Sequence, residues 1–356
     1  MTYKNFLVFG HNYIGDTLMI TPAIRAIKSS YPDSRITVVS SGGASPVLKR
    51  NPDVTRIIEI SKEKTRGLFG AFGLIGLFLR LKSIEQENGA RFDACVNFLT
   101  SLKFAFLGFL VSNRQSGEYR PFNNFFLKDS VKFKPGIHNI EKSLRLALPF
   151  LPSGIAENFA RDYVYDVLKG DIINAGIIVK ENRIAVFSPG STRKTKEASP
   201  ALFSSFADFL IEKEGLFIII TGARGDKELS AKVLEGIKNK NRCSDITGLT
   251  DIYTLGGLIK LASIVVTVDN GTMHLSSAIK TPLIALFGST DPDVCGPLKN
   301  ERTYIIDKKQ ECYHCFSGDC SKENLKKADF PDCMGLITLE DMVNGYGLLK
   351  EGGVIK

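Results

Sequence analysis

Asp269-Asn270-Gly271-Thr272-Met273-His274 follows an apolar run at 262–268 and precedes another at 283–287, which ends in Gly288-Ser289-Thr290-Asp291-Pro292. Strand, polar turn, helix and second strand make one βαβ unit whose polar groups collect at the carboxyl end of the first strand. Free backbone N–H groups and the positive end of a helix dipole form a site for a diphosphate there. An ordinary crossover in which Asp269 caps the helix would read the same locally. In Gly190-Ser191-Thr192-Arg193-Lys194-Thr195-Lys196, hydroxyls and three cations follow a strand within seven residues, chemistry that suits a pyrophosphate leaving group. Gly10-His11-Asn12-Tyr13-Ile14-Gly15-Asp16 is a glycine-bounded turn ending in a carboxylate. Cys312, Cys315, Cys320 and Cys333 have a spacing compatible with a tetrahedral thiolate site for zinc or iron, with His314 as a substitute ligand. Four free or partly disulfide-bonded thiols are the alternative. Four protein thiolates would leave no open coordination position, so a metal there is structural.

The elements that must hold these groups are legible from periodicity. A strand is expected at 6–9 and a helix at 17–31, with Leu18, Ile20, Ala23, Ile24 and Ile27 apolar. The segment 35–40 has the near-continuous apolar pattern of a parallel-sheet strand. Strands at 185–188, 217–221 and 264–268 and helices at 200–213 and 251–262 build a second sheet. Pro149, Pro152 and Gly154 interrupt the chain between the two. The expected division is 1–165 and 166–338, with a last helix within 339–356. Two such sheets facing each other would form a cleft.

The ordered runs F-G-H-N-Y-I-G-D-T-L-M-I-T-P-A-I-R-A-I-K near the start, N-P-D-V at 51–54, F-S-P-G-S-T-R-K-T-K at 187–196, D-I-T-G-L-T at 245–250, D-N-G-T-M-H-L and L-F-G-S-T-D-P together resemble glycosyltransferase family 9, the ADP-heptose:lipopolysaccharide heptosyltransferases. The resemblance spans nearly the whole chain, from about residue 5 to the 330s. It implies an α/β protein of GT-B architecture, two facing Rossmann-like domains with an interdomain cleft, whose last helix packs back toward the first domain. It implies inverting transfer of heptose from ADP-heptose to the lipopolysaccharide inner core. Such a reaction needs a base for the acceptor proton, charge complementarity for the departing diphosphate and a grip on the nucleoside. By resemblance Asp16 occupies the position of the base; as a bare residue at such a turn it would read as a helix N-cap.

Ser191 and Thr192 match phosphate-contacting positions, and Gly271 and Thr272 would add backbone N–H groups. Asp269, Asn270 and His274 fall in the nucleotide site, though a histidine early in a helix is as often structural. Lys196 is the candidate for the diphosphate. The family's usual bulky aromatic and proline after this lysine are replaced by Glu197-Ala198-Ser199-Pro200, which leaves Lys194 as the competing alignment. Lys62, Lys64, Arg66 and Arg120 are the candidate acceptor contacts. Lysine and helix dipoles neutralise the leaving group, so no cofactor is expected for catalysis. A similar cysteine cluster occurs in many relatives, including a branch resembling protein heptosyltransferases with an iron-binding finger. A protein O-heptosyltransferase is therefore the second possibility. The third, from a different class, is a non-catalytic nucleotide-sugar-binding module, in which Asp16 would be dispensable.

Composition excludes little: 356 residues, 44% hydrophobic and 24% charged, fit a soluble protein of two domains. The apolar segment at 6–9 is too short for a signal peptide. The longest apolar run, 68–79, is glycine-rich and short of the roughly 20 residues that span a bilayer, so a cytoplasmic protein is expected. Residues 1–165 carry 22 Lys and Arg against 13 Asp and Glu, and the remainder 24 against 25, so the net +8 belongs to the first half. Nothing resembles a nucleic-acid motif, and aromatics are not interleaved with arginines. Lys62, Lys64 and Arg66 precede the 68–79 run and Arg80 and Lys82 follow it. That is the composition of a segment lying at a membrane interface, and equally of a buried helix with charged ends. The expected partners are an ADP-sugar donor, an anionic lipopolysaccharide-core acceptor and the cytoplasmic face of the inner membrane, on which the protein would sit peripherally.

Overall fold

Runs such as Phe6-Leu7-Val8-Phe9 and Ile264-Val265-Val266 leave no polar face, so they are stable as strands only where helices cover both sides of a parallel sheet. The computed structural model contains two such sheets, each six-stranded. It describes residues 3–61, 70–153, 160–178, 181–312, 314–318, 320 and 331–355. The chain forms two compact units, Met1–Tyr165 and Asp166–Lys356.

The first unit contains β1 (Asn5–Phe9), β2 (Arg35–Ser41), β3 (Arg56–Ile60), β4 (Ala94–Asn97), β5 (Gln115–Glu118) and β6 (Asp129–Val131). Their order is β3-β2-β1-β4-β5-β6, with every pair parallel. The second contains β7 (Ile184–Ser188), β8 (Phe217–Ile220), β9 (Cys243–Asp245), β10 (Ile264–Val268), β11 (Leu283–Phe287) and β12 (Thr303–Asp307). Its order, β12-β11-β10-β7-β8-β9, is again all parallel. Counted from its own first strand, each sheet runs 3-2-1-4-5-6, the doubly wound arrangement. Strand order reverses between β1 and β4 in one unit and between β7 and β10 in the other. Loops leaving the carboxyl ends of these pairs diverge to opposite faces and leave room for a ligand.

The helix after β1 spans Ile14–Ser30, three residues longer at its start than the sequence suggested, so Asp16 lies inside its first turn. Pro22 within it cannot donate to the carbonyl of Leu18. The Thr21 hydroxyl donates there instead at 2.7 Å and accepts from the Val164 N–H at 2.9 Å. On its outer side the Ser143 hydroxyl of helix Asn139–Ala147 donates to the Met19 carbonyl at 2.9 Å. On the other face of the sheet Leu7, Phe9 and Val39 pack with Leu77 and Leu81 of helix Gly70–Asn88 and with Phe104 and Leu107 of helix Leu102–Val111.

The last helix, Leu339–Glu351, belongs to the second unit and covers that unit's own sheet. Met342, Tyr346 and Leu349 are buried in the second core, where the Tyr346 ring meets Phe206 and Phe209 edge-on. Lys350 pairs with Glu214 at 2.8 Å and Asp341 with Lys308 at 2.6 Å. These apolar anchors decide where the helix sits, because burying each contributes on the order of 1.5–3 kcal/mol. Among the described residues no helix is long and apolar enough to cross a membrane.

Candidate functional site

In the first unit the loop at the switch point is fixed by side chains from the end of β2. The Ser40 hydroxyl donates to the His11 carbonyl at 3.0 Å and the Ser41 hydroxyl to the Asn12 carbonyl at 2.8 Å. The Gly10 N–H donates to the Val39 carbonyl at 2.9 Å. Tyr13 occupies the N-cap position without a side-chain cap, and Asp16 stands half-buried in the first turn. Asp16 is therefore not the N-cap. Its charge sits beside the helix's free N–H groups, where the dipole favours an anion. His11 is its neighbour, packed against the Phe98 ring of the loop after β4. Burial lowers the imidazole's pKa, and the Asp16 carboxylate opposes that shift. A carboxylate in this position can accept a proton from a bound hydroxyl.

In the second unit the loops after β7 and β10 are tied together by Asn270. Its Oδ1 accepts from the Met273 N–H at 3.2 Å and caps helix Gly271–Ile279. Its Nδ2 donates to the Gly190 carbonyl at 2.8 Å, the Ser188 carbonyl at 3.2 Å and the Ser188 hydroxyl at 3.1 Å. The Ser188 hydroxyl in turn donates to the Thr272 hydroxyl at 3.1 Å. Gly190 has no room for a side chain, since a Cβ there would stand 2.6 Å from a carboxyl oxygen of Asp226. Burial raises the Asp226 pKa against the pull of the Ala223 N–H.

Lys196 reaches inward and pairs with Asp269 at 2.6 Å, while Lys194 is exposed; geometry thus separates the two lysines that the sequence left open. The Thr290 hydroxyl donates to the same Asp269 oxygen at 2.6 Å. A cation, two hydroxyl-bearing loops and the first-turn N–H groups of Gly271 and Thr272 thus converge where strand order reverses, a composition suited to a diphosphate. Ser191 is half-buried and Thr192 exposed on the lysine loop. His274 is buried within its helix, facing away from solvent.

The cysteine segment braces this loop. The Thr195 hydroxyl donates to the Ser317 carbonyl at 2.9 Å, and the Phe316 N–H donates to the Ser289 carbonyl at 2.8 Å. His314 stands between the carboxylates of Asp291 and Asp307, at 3.2 and 3.3 Å, which occupies it otherwise than as a substitute thiolate-site ligand. Burial pushes the Cys333 thiol up to about 11; the Met334 N–H opposes the shift, and Cys312, Cys320 and Cys315 add to it. The four cysteines therefore share one neighbourhood, although among the described residues no three potential ligands stand in metal-binding geometry.

Arg120 is exposed just beyond β5, at the carboxyl edge of the first sheet, and is paired with Glu118 at 2.7 Å. Lys62, Lys64 and Arg66 fall outside the described residues. Sequence reasoning passed over Ser188, Thr290 and His11, all within runs that it quoted. A hydroxyl closing an otherwise apolar strand, as at Ser188, is the signal that could have singled one of them out.

The model of glycosyltransferase family 9 (heptosyltransferase) matches residues 81–326. Among characterised proteins, the chain is 24% identical over 315 residues to the lipooligosaccharide heptosyltransferase 2 of Haemophilus influenzae, covering 85% of this chain and 88% of that one. It is 26% identical over 297 residues to a lipopolysaccharide heptosyltransferase 3 of Escherichia coli, covering 80% and 84%. The fold is that of the E. coli ADP-heptose lipopolysaccharide heptosyltransferase II, with a TM-score of 0.78 over 98% of this chain and 99% of that one at 21% identity. With the family model covering most of the chain and the doubly wound sheets carrying its motifs at their switch points, the protein belongs to glycosyltransferase family 9 and is a glycosyltransferase enzyme.

Proposed function

We propose that this glycosyltransferase moves heptose from ADP-heptose to the lipopolysaccharide inner core with inversion, Asp16 acting as general base. The observation that carries the reading is that the switch point of each unit presents one half of the chemistry required. One presents a half-buried carboxylate in a helix's first turn, and the other a lysine held by Asp269 beside an Asn270-capped helix. The acceptor hydroxyl oxygen attacks the anomeric carbon and its proton passes to an Asp16 oxygen. The bond from that carbon to the diphosphate oxygen breaks, and its electron pair leaves with ADP. The new charge meets the Lys196 ammonium, the Gly271 and Thr272 N–H groups and the hydroxyls of Ser191 and Thr192. A fixed cation and fixed dipoles need no reorganisation as charge develops, which is where such groups lower a barrier. No divalent metal is required. Arg120, Lys62, Lys64 and Arg66 are the proposed contacts to acceptor anions, and the acceptor's lipid brings the protein to the cytoplasmic face of the inner membrane.

The cysteines are proposed to hold a structural zinc or iron ion that stiffens the segment braced against Thr195 and Ser289. Their donor chemistry and shared neighbourhood support this, and closing the site would require the thiols to draw together. The test of the reaction is mass analysis of a deacylated core acceptor after incubation with ADP-heptose. Gain of one heptose supports the proposal. No gain while ADP-heptose still binds would overturn the acceptor and direct attention to a protein substrate.

A further inference from the structure

Helix Gly70–Asn88 is apolar on two opposite faces. Leu77, Leu81 and Ile84 face the sheet, whereas Phe72, Ile75 and Leu79, spaced by three and four residues, point to solvent, Phe72 with 73% of its surface exposed. The neighbouring helix Leu102–Val111 repeats the pattern, burying Phe104, Leu107 and Val111 and exposing Leu102, Phe106, Phe109 and Leu110. The short turn Asn124–Phe126 abuts it and continues the surface. Around Phe126 the rings of Phe106, Phe109 and Phe125 stand at centroid distances of 5.3, 5.8 and 5.3 Å, and Phe125 is 84% exposed. Single exposed apolar side chains are ordinary, but a continuous face of this kind marks a contact surface.

The charge around it selects the partner. No Asp or Glu occurs in residues 70–84 or 98–117, while Arg80, Lys82, Lys103 and Arg114 do; Lys82 is offset by Glu85 and Arg114 by Asp129, each at 2.6 Å, so the excess rests on Arg80 and Lys103 and on Lys128 of the adjoining loop. Arg91 is anchored at the end of the second helix by a 2.8 Å bond to the Leu110 carbonyl. Arg91 and Lys128 border, with Phe109 and Phe125, a concavity of about 570 Å³. Apolar stripes on adjacent helices with aromatic rings between cations are what an anionic bilayer surface takes up: rings enter the headgroup boundary and the cations meet lipid phosphates. We propose that this face, built by helices Gly70–Asn88 and Leu102–Val111 and the Asn124–Phe126 turn, seats the first unit on an anionic lipid bilayer. The inference deepens the membrane partner of the proposed function by naming its surface, and it rests on that reading only for its biological purpose.

Cosedimentation of the full chain with vesicles of phosphatidylethanolamine and phosphatidylglycerol, against vesicles of phosphatidylcholine, tests it. Expected is preferential binding to the anionic vesicles, weakened by salt. Phe106→Ser/Phe109→Ser/Phe125→Ser should reduce it roughly tenfold or more, and Phe72→Ser/Leu79→Ser on the other helix should act in the same direction. Phe125→Ser alone changes an almost fully exposed ring and serves as the variant that leaves the core untouched. Transfer to a water-soluble deacylated acceptor should be unchanged in all three. Wild type remaining in the supernatant with both vesicles, or variants binding as well as wild type, would overturn the proposal. So would a wild-type dimer in light scattering that the triple variant converts to monomer without any vesicle binding, which would assign the face to a second copy of the chain. Vesicle binding without heptose transfer would refute the proposed reaction and leave this inference standing.

Discussion

Asn270 does two jobs with one side chain, and a single substitution separates them. Its Oδ1 caps helix Gly271–Ile279 through the Met273 N–H, while its Nδ2 holds the Gly190 carbonyl at 2.8 Å and so fixes the start of the lysine loop. Serine caps about as well as asparagine, so Asn270→Ser retains the first job and removes the second. The Ser188 carbonyl keeps its bond from the Thr267 hydroxyl at 3.0 Å and the Ser188 hydroxyl its bond to Thr272, which leaves the Gly190 carbonyl without a side-chain partner. One neutral hydrogen bond is worth about 0.5–1.5 kcal/mol, and that is the expected loss of stability. Nucleotide binding should suffer more. Ser191, Thr192 and Lys196 would then have to be ordered by the ligand, at about 0.5–1.5 kcal/mol for each immobilised side chain. The sum, on the order of 1.5–4.5 kcal/mol, corresponds to ADP binding weakened by roughly ten- to somewhat over a thousandfold. Titration calorimetry with ADP, beside urea unfolding of both proteins, measures the two quantities. Asn270→Ser binding ADP within about twofold of wild type would refute the reasoning, because the bridge would then not be what holds the loop.

Lys196→Ala should lower kcat/KM by about 10²–10³, whereas Lys194→Ala, removing an exposed cation, should stay within a few-fold; steady-state kinetics of the two variants decides which lysine serves the diphosphate. His11 has a folded-state pKa lowered by burial from 6.5, so its contribution to stability is complete above that value and is lost as pH falls below it. Thermal unfolding from about pH 8 to 5 should therefore show a steeper acid loss in wild type than in His11→Asn, and parallel curves would contradict the assignment. Elemental analysis should find about one zinc or iron per chain, absent from Cys312→Ser/Cys333→Ser, and that variant should also bind ADP more weakly because the same segment braces Thr195.

Strand positions and the two-unit division were legible because parallel strands buried on both faces leave an unbroken apolar signature, as at 6–9 and 264–268. The start of the first helix was not. Tyr13 gives no capping signal, and the hydroxyls that hold the preceding loop come from Ser40 and Ser41, far along the chain. The apolar run at 68–79 was equally compatible with burial and with a surface role. Periodicity locates an apolar face but cannot say whether a second face, at Phe72, Ile75 and Leu79, has anything to pack against. The family motif delivered the lysine loop, yet the choice between Lys194 and Lys196 depended on which side chain reaches Asp269, a contact across 73 residues of sequence. The cysteine spacing announced a cluster, while the role of its segment as a brace for Thr195 and Ser289 is purely tertiary.

The most direct test of the proposed reaction compares heptose transfer from ADP-heptose by wild type and Asp16→Asn, with ADP affinity measured on both. Loss of the proposed base should lower kcat by about 10²–10⁴ and leave ADP affinity unchanged, because the proposed nucleotide contacts belong to the second unit's sheet. Asp16→Asn turning over at the wild-type rate would contradict the assignment of Asp16 as the group that takes the acceptor's proton.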